Sequence, residues 1–265
     1  MLNALYPWQY GHLLKQLVRR DVLGRYRNSM LGILWSVIAP LSMLAVYTFV
    51  FVGVFRSRWL GGTDGGGLEF AMHVYAGLLV FNLFAEVANR SPGLILEQPN
   101  LVKKVVFPLH VLPWSAVLGA YFHALSSLLV LMLVVLWFKG GLPITVFAVP
   151  LILLAFLPFL LGLAFILSAL GPYLRDIAQA MGMLVSLIMF LSPVFYPVQA
   201  LPKHLQLWLH LNPLTPIIEN LRLSLLSGQW PAWDWLFIYV MLSSLLLLLG
   251  AYCFNYLCRG FADVV

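Results

Sequence analysis

Arg20, Arg25 and Arg27 fall within eight residues, with Asp21 among them. Planar guanidinium forks hold phosphate oxygens two at a time, so three of them close together suit a phosphate-bearing ligand. Asp21 is placed to order them, and Arg90 and Arg175 can join from other chain segments. Positive residues beside a membrane span also set its topology, and the spacing leaves both readings open. Glu219 and Arg222 lie three apart, a spacing at which side chains on one helix meet. His123 sits inside a long apolar block, where a polar group is costly unless it faces other protein, and a packing role is favoured over a proton relay.

Other chemistry is missing from the chain. No Gly precedes a Lys, which excludes a phosphate-binding loop of the G-x-x-x-x-G-K-[ST] type. No His precedes a Glu, so the H-E-x-x-H zinc pattern is absent, as is a G-x-S-x-G elbow. Nine acids, mostly between the apolar blocks, form no evident metal-binding pair. Cys253 and Cys258 lie five apart in one apolar block without a histidine companion, which argues against a disulfide or metal site. No ATPase site or cofactor is expected in this chain, and any energy input must come from a partner.

The elements that carry these residues follow from composition. Of 265 residues, 62% are hydrophobic and 9% charged, against roughly 25% charged in a soluble domain, so a water-facing surface cannot be covered. The class is an all-α integral membrane protein in one domain, 1–265. The net charge of +6 belongs to segments between apolar blocks, where it meets lipid headgroups; nucleic acid is not the expected partner. Residues 1–27 lack the apolar core of a cleavable leader.

A spanning helix needs about 20 apolar residues. Six such helices are predicted, at 30–54, 68–88, 109–137, 144–170, 176–196 and 233–257, the second requiring Glu86 to reach the interface. Ten Lys and Arg then fall on the side of both termini and five on the other, which places both termini in the cytoplasm. Residues 8–28 carry Leu14, Val18 and Val22 at four-residue intervals, with Leu13 and Leu17 alongside, and are expected to lie in the membrane interface. Residues 91–107 form a cytoplasmic loop with a short helix. Residues 197–232 are too broken by proline to span, and two short helices dipping into the outer leaflet fit them best.

Several segments together carry a resemblance. Arg20-Asp21, then Arg25-Tyr26-Arg27 with Ser29, then Leu31-Gly32 with Trp35, resembles the amino-terminal signature of type-2 ABC exporter permeases that move polysaccharides. Asn100 to Val105 with Phe107-Pro108, Tyr173 to Ile177, Ser192 to Pro197, and Asn212 to Pro216 with Glu219 and Arg222 are similar to later segments of that family, in the same order. The resemblance runs from about residue 8 to the carboxyl end.

It implies a homodimeric permease of the bacterial inner membrane, bound to two copies of an ATPase subunit that carries ATP and Mg. The implied substrate is a glycan on undecaprenyl diphosphate: O-antigen first, with teichoic acid or capsular polysaccharide as the alternative. Arg20, Arg25, Arg27, Arg90 and Arg175 would then receive the diphosphate. Trp35, Tyr47, Phe190, Phe195 and Tyr196 would line the channel, where flat rings stack on sugars. Glu97, Asn100, Lys103 and Lys104 would dock the ATPase, and Glu219 with Arg222 would orient a gate helix. A membrane-bound glycosyltransferase and a channel without an energy source are the competing classes. A neighbouring gene for an ATPase would set the exporter apart from both.

Overall fold

The computed structural model describes residues 7–27, 29–50, 66–103, 107–174 and 176–264. Among them the chain is helical and no strand occurs. In chain order the helices are α1 (Gly11–Tyr26), α2 (Trp35–Thr48), α3 (Gly66–Arg90), α4 (Pro99–Lys103), α5 (Val111–Lys139), α6 (Val149–Leu170), α7 (Ile177–Leu191), α8 (Lys203–Leu211), α9 (Thr215–Leu225), α10 (Trp233–Leu257) and α11 (Phe261–Val264).

Four of these are long and apolar enough to cross a membrane: α3, α5, α6 and α10 with their short extensions. The helices at the predicted first and fifth spans are shorter. At 1.5 Å per residue the 15 residues of α7 reach about 22 Å, less than the ~30 Å hydrocarbon core. The predicted end of the first span, together with Lys104 and Arg175, lies outside the described residues.

The most buried span, α3, packs on α2, α5, α6, α7 and α9. Its Ala71, Met72, Val74, Ala76, Val80, Val87 and Ala88 are fully enclosed, because neighbours surround the helix on all sides. The other spans keep apolar faces turned outward: Leu129, Leu133 and Leu136 on α5, and Leu242, Leu245 and Leu249 on α10. That is the expected surface of a helix in lipid.

Helices α6 and α10 cross at two glycines. A Cβ on Gly250 would lie 2.5 Å from the Gly162 carbonyl oxygen, and one on Gly162 would lie 2.8 Å from the Leu247 nitrogen. Small residues let the backbones approach this closely, which is how helices gain contact where hydrophobic burial offers none.

The amino-terminal helix turns its apolar stripe onto the bundle. Leu14 and Leu17 are buried against Ile95, Val111 and Leu112 in a cluster that also holds Phe165 and Phe254. The basic residues Arg19 and Arg20 are left exposed.

The molecule has two polar ends. One gathers α1, the end of α3, α4 and α11, with Tyr173 Oη donating to the Leu257 carbonyl at 2.8 Å. The other gathers the start of α3, the end of α5 and the α8–α9 segment, where Lys139 Nζ donates to the Leu226 carbonyl.

Candidate functional site

At the first end, three helices each contribute two positions one turn apart: Asp21 and Arg25 on α1, Glu86 and Arg90 on α3, and Gly119 and His123 on α5. Positions four apart share a helix face, so each pair aims at the same neighbours. Because α1 runs antiparallel to α3, Asp21 meets Arg90 and Arg25 meets Glu86. The first contact is a short ion pair; in the second, Arg25 Nη2 donates to Glu86 Oε1 at 2.6 Å. Helix α5 lies alongside, with the Gly119 surface next to Asp21 and Arg90, and His123 Nε2 4.0 Å from Glu86.

Asp21 was expected to order the three arginines of its own segment; it holds Arg90 of α3 instead. His123 is a packing residue with polar partners. Its ring stands edge-on to Tyr26, and the Tyr26 hydroxyl is 3.2 Å from Nδ1. Burial, the leading cause, raises the Tyr26 phenol above its ordinary value, so the hydroxyl keeps its proton. Arg20 and Arg27 stay exposed, without an ion pair among the described residues.

Beside this cluster lies a cavity of about 320 Å³. Arg25, Tyr26, Trp35, Tyr47, Asn82 and His123 are among the residues lining it. Trp35 and Tyr47 thus share one wall. Tyr196 instead lines an apolar cavity of about 770 Å³ between α3, α6, α7 and α8. Phe190 and Phe195 pack on one another at the exit of α7, ring centres 6.4 Å apart, and the Tyr196 hydroxyl donates to the Phe190 carbonyl at 3.0 Å. The five aromatic candidates therefore form two groups within the protomer.

At the opposite end, residues 197–232 form α8 and α9, the two short helices expected there. An apolar stripe of Leu214, Ile217, Ile218, Leu221 and Leu225 is wholly buried there. Glu219 and Arg222 meet at 3.0 Å. Arg222 does more than the spacing indicated. Its Nε donates to the His73 carbonyl at 2.9 Å, Nη1 to the Pro193 carbonyl at 2.7 Å and Nη2 to the Val194 carbonyl at 2.7 Å. One guanidinium joins α9, the start of α3 and the broken backbone after α7. Gly77 makes the space, since a Cβ there would stand 2.7 Å from Arg222 Nη2. Asn212 secures the same junction: its Nδ2 donates to Ser192 Oγ at 2.8 Å and its Oδ1 accepts from the Leu214 amide at 2.9 Å.

The loop after α3 is anchored by buried Ser91, Pro92, Leu94 and Ile95 and turns Glu97, Asn100 and Lys103 to the surface. Glu86, Tyr26 and Asn212 enter the sequence reading without a role in the site, and Gly77 does not enter it at all. The Glu86/Arg90 pair, one turn apart at a span end, was the available signal for the first of them.

A bundle of membrane-length apolar helices with ionic and hydrogen-bonded clusters at its two ends defines a multi-pass membrane protein. The chain belongs to the family of ABC-2 type transporters, which it matches over residues 12–226. It is 28% identical over 255 residues to the O-antigen export system permease protein RfbA of Klebsiella pneumoniae, covering 96% of this chain and 95% of that one. To the O-antigen export system permease protein RfbA of Myxococcus xanthus it is 32% identical over 216 residues, 80% of each chain. To the polysialic acid transport protein KpsM of Escherichia coli it is 24% identical over 216 residues, again 80% of each.

Proposed function

We propose that this chain is the permease subunit of an ATP-driven exporter that moves undecaprenyl-diphosphate-linked O-antigen polysaccharide across the bacterial inner membrane. The observation that carries the substrate is similarity to O-antigen export permeases over 80% to 96% of the chain. Similarity to a polysialic acid transport protein favours capsular polysaccharide as the second reading. In this reading α2 and α7 complete six spans, both termini are cytoplasmic, and two copies of the chain assemble with two copies of a separate ATPase subunit that carries ATP and Mg.

The arginine end faces the cytoplasm. Eight Lys and Arg gather there among the described residues, whereas Lys139, Lys203 and Arg222 are at the other end, in keeping with a positive inner side. Arg20, Arg25 and Arg27 receive the diphosphate; Arg90 and Arg175 contribute from neighbouring helix ends, Arg90 only by releasing Asp21. Glu97, Asn100, Lys103 and Lys104 couple to the ATPase. Trp35 and Tyr47, then Phe190, Phe195 and Tyr196, offer rings to the passing sugars, and Glu219 with Arg222 fixes the outer gate helix.

Arginine-to-lysine changes test the headgroup role. Topology needs only positive charge, but lysine offers a point charge without a fork. A variant with Arg20, Arg25 and Arg27 all changed to Lys is expected to insert normally and to display little surface glycan at matched permease levels. Wild-type surface glycan in that strain overturns the headgroup role.

A further inference from the structure

We propose that Glu86 is an internal stand-in for the substrate's phosphate: it holds Arg25 while the site is empty, and an arriving phosphate-bearing lipid headgroup takes its place. The inference rests on the reading of Arg25 as a headgroup residue and assigns Glu86 the control of that residue.

The geometry carries it in three steps. First, Arg25 is already occupied by an anion, because Glu86 accepts from it at 2.6 Å. The Arg25 side chain is 45% exposed and Glu86 only 19%, so the arginine is reachable from outside while its carboxylate comes from within the bundle. A phosphate can therefore approach the free side of the fork before Glu86 departs. Bearing more charge and offering more acceptor oxygens than a carboxylate, it wins the exchange, which a neutral headgroup does not.

Second, the displaced carboxylate has a partner waiting. The Tyr26 hydroxyl lies 3.2 Å from His123 Nδ1, and in the tautomer that accepts there the ring proton is on Nε2, the nitrogen 4.0 Å from Glu86. A small side-chain rotation closes that distance, so Glu86 is not left buried and unpaired, a state that would oppose its release. The other charged groups around His123 are Arg25, Arg90 and Asp21, and the last two form an ion pair with one another.

Third, the helix need not move. Leu14, Leu17 and Val22 are buried and hold the apolar side of α1 in the bundle independently of Arg25. The exchange also opens onto space. Arg25 borders the 320 Å³ cavity, where Asn82 stands exposed in the middle of α3 and makes no hydrogen bond to the protein among the described residues.

The test is a double-mutant cycle on the permease–ATPase complex in nanodiscs, with undecaprenyl diphosphate as probe and binding normalised to folded complex. Removing the competing carboxylate frees Arg25, so Glu86→Gln is expected to tighten binding roughly three- to tenfold. Arg25→Gln is expected to weaken it by at least as much. Adding Glu86→Gln to Arg25→Gln should leave affinity within about twofold of Arg25→Gln alone, because the competitor matters only while its arginine is present. Should Glu86→Gln fail to assemble, Glu86→Asp supplies the readout, its shorter reach giving a smaller tightening. Equal tightening with and without Arg25 makes Glu86 a diffuse negative charge and overturns the stand-in role. Unchanged or weaker binding in Glu86→Gln, with Arg25→Gln impaired, overturns it while leaving the headgroup reading intact. Wild-type binding in Arg25→Gln overturns the headgroup reading of Arg25 itself.

Discussion

Arg222 is 3% exposed and its guanidinium meets three carbonyl groups and one carboxylate. The Pro193 and Val194 carbonyls lie in the broken backbone after α7, outside any helix ladder, and must be satisfied from elsewhere, while the His73 carbonyl ties the same guanidinium to α3. A guanidinium reaches all of them at once; an ammonium on a similar stem does not. Arg222→Lys is therefore expected to cost about 3 kcal/mol of stability or more, read as a large drop in thermal unfolding temperature in detergent. Glu219 is a more exposed partner at 24%, and Glu219→Gln leaves the three carbonyl bonds in place, for a cost of about 1 kcal/mol or less. Equal losses in the two variants would show that the ion pair, rather than the carbonyl set, holds α9. The i, i+3 spacing made the pair legible in the sequence. The carbonyl partners were not, because the backbone oxygens of His73, Pro193 and Val194 leave no mark in residue spacing, and Gly77 is meaningful only once its neighbour is known.

At the scale of elements, the spans at 109–137 and 233–257 match α5 and α10 closely, since uninterrupted apolar length decides both. Facing is harder to read. The stripe on α1 was visible as a period, yet a stripe of Leu and Val suits lipid and protein alike; only the tertiary structure shows that it packs on Ile95, Val111 and Leu112. The α6–α10 crossing was equally hidden, because Gly162 and Gly250 lie far apart in the chain. It yields a direct expectation. Any side chain on Gly250 collides with the Gly162 backbone, which cannot retreat as the end of a flexible side chain can. Gly250→Leu should separate the two helices and lose about 2 kcal/mol or more, seen as reduced yield of monodisperse protein. Gly182→Ala, with open space around it, serves as the comparison and should behave as wild type in that assay. Similar losses for both would refute a close crossing.

At the scale of the whole molecule, the loop after α3, proposed to dock the ATPase, is mounted on the same end as the arginine cluster. Ser91 and Pro92 are buried against the end of α6, where Gly171 leaves no room for a Cβ beside the Pro92 carbonyl, and α4 touches the carboxyl-terminal α11. Leu94 and Ile95, 3% and 0% exposed, fix the loop from below, so a force applied at Glu97, Asn100 or Lys103 passes into α3 and α6 rather than being absorbed. A rigid mount with an exposed charged face is what a docking partner requires for pushing on the bundle. Reversing the charge of that face should break docking without disturbing the buried anchor, since like charges brought together at an interface cost several kcal/mol. A variant carrying Lys103→Glu and Lys104→Glu is expected to insert at wild-type levels, to lose co-purification with the ATPase subunit, and to export no glycan. Normal co-purification and export in that variant would mean that the ATPase docks on another surface.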